Sequence, residues 1–173
     1  MTTSTLSLSD LSQLTGDYLR QEVEVRISNV TRNLQRLEEG TFDITITNAA
    51  APRGIRLQDV TVHLQVDSGA VLKLSTSMSA LLQARATGSR SAPVLPGGTL
   101  VSEMFVFFQP AAAGISPDDV LEPGEVQELE LRFRGEGAGT TDLTAHVHAT
   151  IAPEDLFPRT QGATAEKSIT IRP

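Results

Sequence analysis

The sequence predicts an all-β protein with two packed antiparallel sheets, preceded by a short N-terminal helix or arm. Apolar and polar residues alternate through most of the chain, which is typical of strands with one buried and one solvated face. Clusters of glycine, proline and aspartate separate the alternating segments and indicate turns. The chain has 173 residues and no cysteine. It is therefore long enough to bury a core without disulfides.

Residues 1–20 are predicted to form the arm or short helix, and residues 21–173 to form a single sandwich domain. Ser7 and Asp10 match a capping box, in which two side chains satisfy free backbone N–H groups at a helix N-terminus. Gly16 weakens this helix by about 1 kcal/mol relative to alanine. The apolar side chains expected on one face of the helix are Leu11, Leu14, Tyr18 and Leu19.

Strands are predicted wherever the alternation is regular. The clearest segments are Val23–Ile27, Phe42–Ile46, Val60–Val66, Leu129–Phe133, Leu143–Ile151 and Ile169–Ile171. A short strand is also expected at Val71–Leu74 and an apolar one at Leu100–Phe108, with a hairpin tip at Gly135–Gly139. Eight or so strands indicate two sheets, because one open sheet would leave a whole apolar face exposed. Ser75–Pro96 lacks periodicity, and compact domains usually reserve such long loops for function or leave them disordered.

Three segments of the chain resemble the bacterial and archaeal cell-adhesion-related family of immunoglobulin-like domains. These segments are Gly40–Asn48, Leu121–Phe133 and Gly139–Ala145. In that family a strand ends in asparagine, a Pro-Gly-Glu turn opens a later strand, and a Gly-Thr hairpin leads into the next. The resemblance covers residues 40–151, and the chain departs from the family at both ends and in its long irregular segment. It implies an immunoglobulin-like sandwich with a spacer, scaffold or binding role and no catalytic residues.

One predicted strand, Val101–Phe108, is apolar on both faces. Alternation places Met104, Val106 and Phe108 between the sheets and directs Phe105 and Phe107 outward. The outer face of a sandwich is normally wet, so something is expected to cover these two rings. Either a segment of the same chain covers them, such as the N-terminal helix or Met78–Leu82, or a partner subunit does. The candidate partner-binding residues are Phe105, Phe107, Leu11, Leu14, Tyr18 and Leu19.

The three histidines are the only candidate metal ligands with a suggestive spacing. His146 and His148 lie two residues apart on one predicted strand, so both point to its outer face, and His63 points outward from another strand. A pair of this spacing plus a third histidine from a neighbouring strand can bind zinc. Solvated histidines on a threonine-rich face explain the same pattern. No metal site is predicted, and His63, His146 and His148 are the candidate ligands in the alternative hypothesis of a metal-dependent enzyme.

Other chemistry has no motif in the sequence. The adjacent carboxylates Asp118–Asp119 and Glu154–Asp155 fall in predicted loops, where calcium binding would need a ligand run that is missing. There is no Gly-x-Ser-x-Gly element, and Ser89 lies in a loop without a recognisable base. The glycine-rich turns lack the lysine and the following helix of a phosphate-binding loop. We therefore predict no catalytic residue and no cofactor.

The net charge and the amino-acid composition limit the classes of partner that the protein is expected to bind. The net charge is −7, which repels nucleic acid, and the chain has no tryptophan and one tyrosine, which makes carbohydrate binding possible but poorly supported. No apolar run approaches the length of a membrane span. The first ten residues lack the features of a signal peptide, so a cytoplasmic location is expected, with a place in an exported assembly as the alternative.

The function predicted from these observations is a non-catalytic structural or interaction module that docks onto protein partners or onto copies of itself. A carbohydrate- or ligand-binding adhesive module and a metal-dependent enzyme using the surface histidines are the alternatives. Strand addition at an open sheet edge is a further possibility, with Lys167–Arg172 as one candidate edge.

Overall fold

The computed structural model describes residues 7–75, 100–107, 121–151 and 160–173. Helix α1 spans Leu8–Glu22. The strands, in chain order, are β1 Val23–Ser28, β2 Glu39–Asn48, β3 Leu57–Val66, β4 Leu72–Ser75, β5 Leu100–Val101, β6 Glu103–Phe107, β7 Val126–Gly135, β8 Gly139–Ile151 and β9 Thr160–Ile171. In this part of the chain, no helix is both long enough and apolar enough to span a membrane.

The strands form two antiparallel sheets. One has the order β1-β2-β7-β4-β5 and the other the order β6-β3-β8-β9. If β1 to β4 are strands A to D and β7 to β9 are strands E to G, the sheets reproduce the A-B-E-D and C-F-G arrangement of immunoglobulin domains. Strands β5 and β6 are additions between D and E. The fold is an immunoglobulin-like β-sandwich with one N-terminal helix, which confirms the predicted fold class.

The core lies between the two sheets and follows the predicted alternation. The rings of Phe42 and Phe133 are both fully buried, with centroids 6.0 Å apart. Each buried aromatic or aliphatic side chain of this size contributes roughly 1.5–3 kcal/mol relative to an exposed one. Met104 is buried and Phe105 is 39% exposed, as the parity of the two-faced strand predicts.

Two strands differ from their predicted bounds. The segment predicted as one strand over Leu100–Phe108 changes sheet at Ser102, so that β5 pairs with β4 and β6 pairs with β3. Strand β9 begins at Thr160, well before Ile169, because its first half contains small residues such as Gly162 and Ala163 that give no apolar alternation. Several residues discussed in the sequence analysis lie outside the described part of the chain. They are Phe108, the stretch Thr76–Pro96, which includes Met78–Leu82 and Ser89, and the carboxylate pairs Asp118–Asp119 and Glu154–Asp155.

Helix α1 begins with the predicted capping box. The backbone N–H of Asp10 donates to the Ser7 hydroxyl oxygen, and the Asp10 carboxylate accepts from the backbone N–H of Ser7. The hydrogen bonds that the Asp10 carboxylate accepts from the backbone N–H and the hydroxyl of Ser7 lower the pKa of Asp10. The helix packs against β9, β1 and β8 at one edge of the sandwich.

The buried face of α1 differs from the predicted one at Leu14. Leu19 is fully buried and Tyr18 nearly so, but Leu14 is 49% exposed and Thr15 is buried in its place. The helix is rotated toward Thr15 and Gly16 because the small residue Gly162 of β9 allows close approach there. The backbone oxygen of Gly16 lies 2.7 Å from where a Cβ at position 162 would stand.

A buried polar network ties α1 to the rest of the sandwich. The Tyr18 hydroxyl donates to Asn48 Oδ1 at 2.6 Å and accepts from the backbone N–H of Ile55 at 2.7 Å. Asn48 Nδ2 donates to the backbone oxygens of Ile55 and Leu121. Burial raises the pKa of Tyr18, so its hydroxyl keeps its proton and remains a donor. Asn48 is the strand-ending asparagine of the predicted family motif, and the structure assigns it a structural role.

A strained turn residue, Leu37, provides a stability test. Leu37 has φ 70° and a 63% exposed side chain, in the turn that precedes β2. A non-glycine residue in this left-handed region costs on the order of 1 kcal/mol, and asparagine tolerates it better than leucine. We expect Leu37→Asn to raise the free energy of unfolding by about 1 kcal/mol, measured by urea denaturation. Leu14→Asn, at an exposed helical leucine, is the control and is expected to give no gain. Equal effects of the two substitutions would contradict the assignment of strain.

Candidate functional site

The register of the four-stranded sheet places an aromatic residue and two histidines side by side. Phe105 of β6 pairs with His63 of β3, His63 pairs with His146 of β8, and His146 pairs with Thr164 of β9. These four residues form one row across the outer surface of the sheet. In the adjacent row Thr61 pairs with His148. We call the outer surface formed by Phe105, His63, His146, His148 and Thr164 the histidine face.

His63 is the centre of this surface. Its ring stacks on that of Phe105, with centroids 4.3 Å apart and planes within 5° of parallel. Its Nε2 atom forms a short hydrogen bond with Oε1 of Glu103. The His63 side chain is 14% exposed and that of Glu103 is 54% exposed. The carboxylate therefore holds the imidazole in a fixed orientation at the surface.

The two histidines of β8 lie next to His63. The ring centroids of His146 and His148 are 5.9 Å and 6.3 Å from that of His63. Nδ1 of His146 is 3.2 Å from the Thr164 hydroxyl oxygen. Burial lowers the pKa of His146, and the neighbouring His63 lowers it further. Near neutral pH the His146 imidazole is therefore uncharged and belongs to a weakly polar surface.

The three candidate metal ligands thus meet on one face, as their outward parity predicts. Among the residues that the structure describes, however, no group of three or more histidine, aspartate or glutamate side chains is arranged to hold a metal ion. The Nε2 atom of His63 is hydrogen-bonded to Glu103 instead. As placed, the cluster can stack and form hydrogen bonds.

The candidate partner-binding residues do not form one surface. Phe105 lies on β6, at the opposite edge of the four-stranded sheet from β9, where α1 packs. Helix α1 therefore does not supply the cover expected over Phe105. Tyr18 and Leu19 are buried in the chain's own core, Leu11 is half-buried and Leu14 is exposed. Phe107 takes the register position opposite Thr61, and its side chain lies outside the described part of the chain.

The candidate edge at Lys167–Arg172 is only partly open. Arg172 is bridged to the chain before β2, because its N–H donates to the Leu34 oxygen and its oxygen accepts from the Arg36 N–H. Upstream of it, residues 29–33 and 167–170 line a groove of about 490 Å³. Lys167 has the inward parity of Ile169 yet is exposed. An inward-pointing lysine at a sheet edge opposes strand addition.

Sequence reasoning did not find the His63–Phe105 stack. The signal for it was present, since Phe105 and His63 each stood on an outward position of a predicted strand. Alternation identifies the face of a residue but not its cross-strand neighbour, because neighbours depend on which strands pair and in what register.

Comparison with known proteins supports the fold. No protein-family model matches the chain, and no curated protein sequence matches it. Among solved structures it is similar to AvmM, which catalyses macrocyclization in alchivemycin A biosynthesis, with 18% identity over 88% of this chain and 89% of that chain and a TM-score of 0.56. It is also similar to the CARDB domain of the PF1109 protein from Pyrococcus furiosus, with 12% identity over 87% and 94% of the two chains and a TM-score of 0.46. At such identities the likeness concerns the fold alone.

Proposed function

We propose that this protein is a non-catalytic interaction module that associates with a second copy of itself through the histidine face. The observation that carries the proposal is Phe105, which is 39% exposed and stacked on His63 on the outer side of a sheet. Phenylalanine rings are enriched in the cores of protein interfaces, and an exposed ring held rigid by stacking loses little side-chain entropy on docking.

Charge favours the histidine face over the rest of the surface. The chain carries a net charge of −7, so most encounters between two copies are repulsive. The row formed by Phe105, His63, His146 and Thr164 contains no carboxylate, and Glu103 at its border is bonded to His63. Two copies that meet at these rows therefore place no carboxylate of one row against the other row.

The area of the four-stranded sheet limits the expected strength of self-association. Strands β3, β8 and β9 have ten or more residues, and β6 has five. With ten residues counted for each of the first three, strands about 4.8 Å apart and about 3.4 Å per residue, the sheet presents roughly 570 Å². Two copies would bury roughly 1,100 Å² in total, which is just below the standard interface range. A face that packs on its own copy forms a two-fold interface, the commonest symmetry of protein oligomers. We therefore infer a weak, reversible dimer.

The relation to the cell-adhesion-related family rests on the sequence motifs, and we propose it on that ground. The strand-ending Asn48 donates to the backbone oxygen of Leu121, and this hydrogen bond joins the first and second motif segments. This is the kind of contact that would keep such a motif together in a family of sandwiches.

The test is a charge placed at Phe105. We expect Phe105→Glu to weaken self-association by about 2 kcal/mol, or roughly 30-fold, because the glutamate would be desolvated in the interface. The unfolding free energy of the monomer should change by no more than about 1 kcal/mol, because the site is partly exposed. Light scattering over a concentration series measures the first effect and urea denaturation the second. Phe107→Glu is expected to act in the same way, since Phe107 shares the strand parity of Phe105.

The matched control is Val126→Glu. Val126 is 56% exposed on β7, in the other sheet, so the substitution adds the same charge to an exposed apolar site away from the histidine face. We expect its association to equal that of the wild type apart from a small effect of net charge. Equal association of Phe105→Glu and Val126→Glu would refute docking through the histidine face.

A further inference from the structure

A groove lies between strand β9 and the loop that follows β1. Its volume is about 490 Å³, within the range of about 300–1,000 Å³ that is usual for ligand sites. All of its lining residues, 29–33 and 167–170, belong to the described part of the chain. Val30 and Ile169 pack against the core and give the groove an apolar part. Phe105 lies on β6, at the other edge of the four-stranded sheet, so the groove is a second and separate surface.

The wall of the groove that follows β1 is fixed to strand β2. The backbone N–H of Thr31 donates to the Thr41 oxygen at 3.0 Å, and the Thr31 hydroxyl accepts from the Thr41 N–H at 2.9 Å. Nδ2 of Asn29 donates to Oδ2 of Asp43 at 2.6 Å. Asn29 and Asn33 have φ 51° and 59°, a conformation that asparagine adopts more readily than most residues. This wall is therefore formed before any ligand binds, which lowers the entropy lost on binding.

The opposite wall presents the backbone edge of β9. Arg172 directs its N–H and its oxygen away from β8, since they bond Leu34 and Arg36. Alternate residues of a strand direct these groups to the same side, so those of Thr170 and Ser168 face the groove. Among the described residues they have no backbone partner on that side. Two such pairs of N–H and C=O groups, about 6.8 Å apart, match the backbone of an extended peptide.

Two cationic side chains line the groove, although the chain has a net charge of −7. Arg32 on one wall and Lys167 on the other are exposed, and neither forms an ion pair with another described residue. Asp43 and Asp142 each accept a hydrogen bond from a groove residue. These two carboxylates and Glu166 stand at outward positions of their strands, on the outer faces of the two sheets. The groove itself therefore favours a ligand that carries carboxylates.

We propose that this groove binds an extended acidic segment of a partner protein, which adds beside β9 as a short strand. Ser168 and Thr170 bond the backbone of the segment, and Arg32 and Lys167 bind its carboxylates. Lys167 opposes the addition of an apolar strand because its charge would be buried without a partner, and a carboxylate placed opposite it removes that penalty. The four β9 residues span about 13 Å, which is enough for about four residues of the segment.

The experiment is calorimetric titration of the full chain with the synthetic peptide Ser-Glu-Val-Glu-Val-Ser. Its ends are acetylated and amidated, so that the two glutamates are its only charges. We expect a peptide with glutamine in place of both glutamates to bind about tenfold more weakly, because two ion pairs are lost. Hydrogen exchange of the Ser168 and Thr170 amides should slow when the acidic peptide binds, because strand addition gives these N–H groups acceptors. Succinate, a free dicarboxylate, should not displace the peptide at equal concentration.

The matched variants remove two positive charges from different places. Arg32→Gln with Lys167→Gln changes the groove, and we expect the peptide dissociation constant to rise about tenfold. Arg53→Gln with Lys73→Gln makes the same change of net charge in the loop before β3 and on β4, and neither residue lines the groove. This control is expected to bind the peptide within about twofold of the wild type. Thermal melts check that both double variants remain folded.

Three results would overturn the acidic-peptide site. They are an absence of peptide binding to the unmodified chain, equal binding by the two double variants, and equal binding of the glutamine peptide. Displacement of the peptide by succinate, without slower exchange at Ser168 and Thr170, would instead show a small-anion site and refute strand addition. Phe105→Glu should bind the peptide as the wild type does, so failure of this proposal and failure of docking through the histidine face are distinguishable.

Discussion

Asn48→Leu is expected to lower the free energy of unfolding by about 3 kcal/mol, one of the two largest effects anticipated for a single substitution in this chain. Asn48 is 1% exposed, and its side chain holds the Tyr18 hydroxyl and the backbone oxygens of Ile55 and Leu121. Leucine has nearly the same volume but no polar atoms. The substitution would therefore leave several buried groups without hydrogen bonds, each at about 1–3 kcal/mol, partly offset by apolar burial.

Urea denaturation near pH 7 measures the effect, and Tyr18→Phe is the companion variant. Phenylalanine keeps the packing of the ring but removes the hydroxyl that bonds Asn48 and the Ile55 N–H. We expect Tyr18→Phe to cost about 1–2 kcal/mol and the double variant to cost less than the sum, because the two residues share one network. A loss of under about 1 kcal/mol for Asn48→Leu would show that the network contributes little to stability.

Gly162→Ala is expected to displace helix α1 from the sandwich and to cost about 2–3 kcal/mol. A Cβ at this position would lie 2.4 Å from Leu19 Cβ and 2.7 Å from the Gly16 backbone oxygen. Both atoms are close to or part of the helix backbone, so no rotation of a flexible side chain relieves the clash. The helix would have to move away, and Leu19, which is fully buried, would lose contact with the core.

Hydrogen exchange identifies the location of this effect. We expect the amides of Leu8–Glu22 to lose protection in Gly162→Ala, while the amides of β2, β7 and β8 remain protected at a reduced global stability. Gly69→Ala is the matched control. A Cβ at Gly69 would approach the Ser102 hydroxyl oxygen at 2.9 Å, and that atom lies at the end of a side chain that can rotate. If the two alanine variants have equal stability, the close approach of α1 to β9 is not a constraint.

Both substitutions, Asn48→Leu and Gly162→Ala, test how helix α1 is attached to the sandwich. The network at Asn48 fixes Tyr18 at one side of α1, and Gly162 admits Gly16 and Leu19 at another. Because α1 is held in this way at the β9 edge, it cannot also cover Phe105 at the β6 edge. The exposure of Phe105, on which the proposed association depends, therefore follows in part from the attachment of the helix elsewhere.

The sequence by itself determined the class of fold and the orientation of most strand residues. Alternation predicted β1, β2, β3, β7 and β8 and placed Met104 inward and Phe105 outward, because the two-residue period of a strand is a local property of its backbone. The capping box at Ser7 and Asp10 was equally local. His63, His146 and His148 could be assigned to an outer face for the same reason.

The tertiary structure alone decided which residues became neighbours. Strand β6 had to pair with β3 for Phe105 to reach His63, and β3 had to pair with β8 in one register for His63 to reach His146. The tertiary structure also determines that Thr15 of α1 is buried and Leu14 is exposed. This orientation depends on Gly162, which lies about 150 residues away in the sequence. Contacts between distant segments are selected by the packing of the whole domain, and a local pattern of polarity contains no information on partner or register.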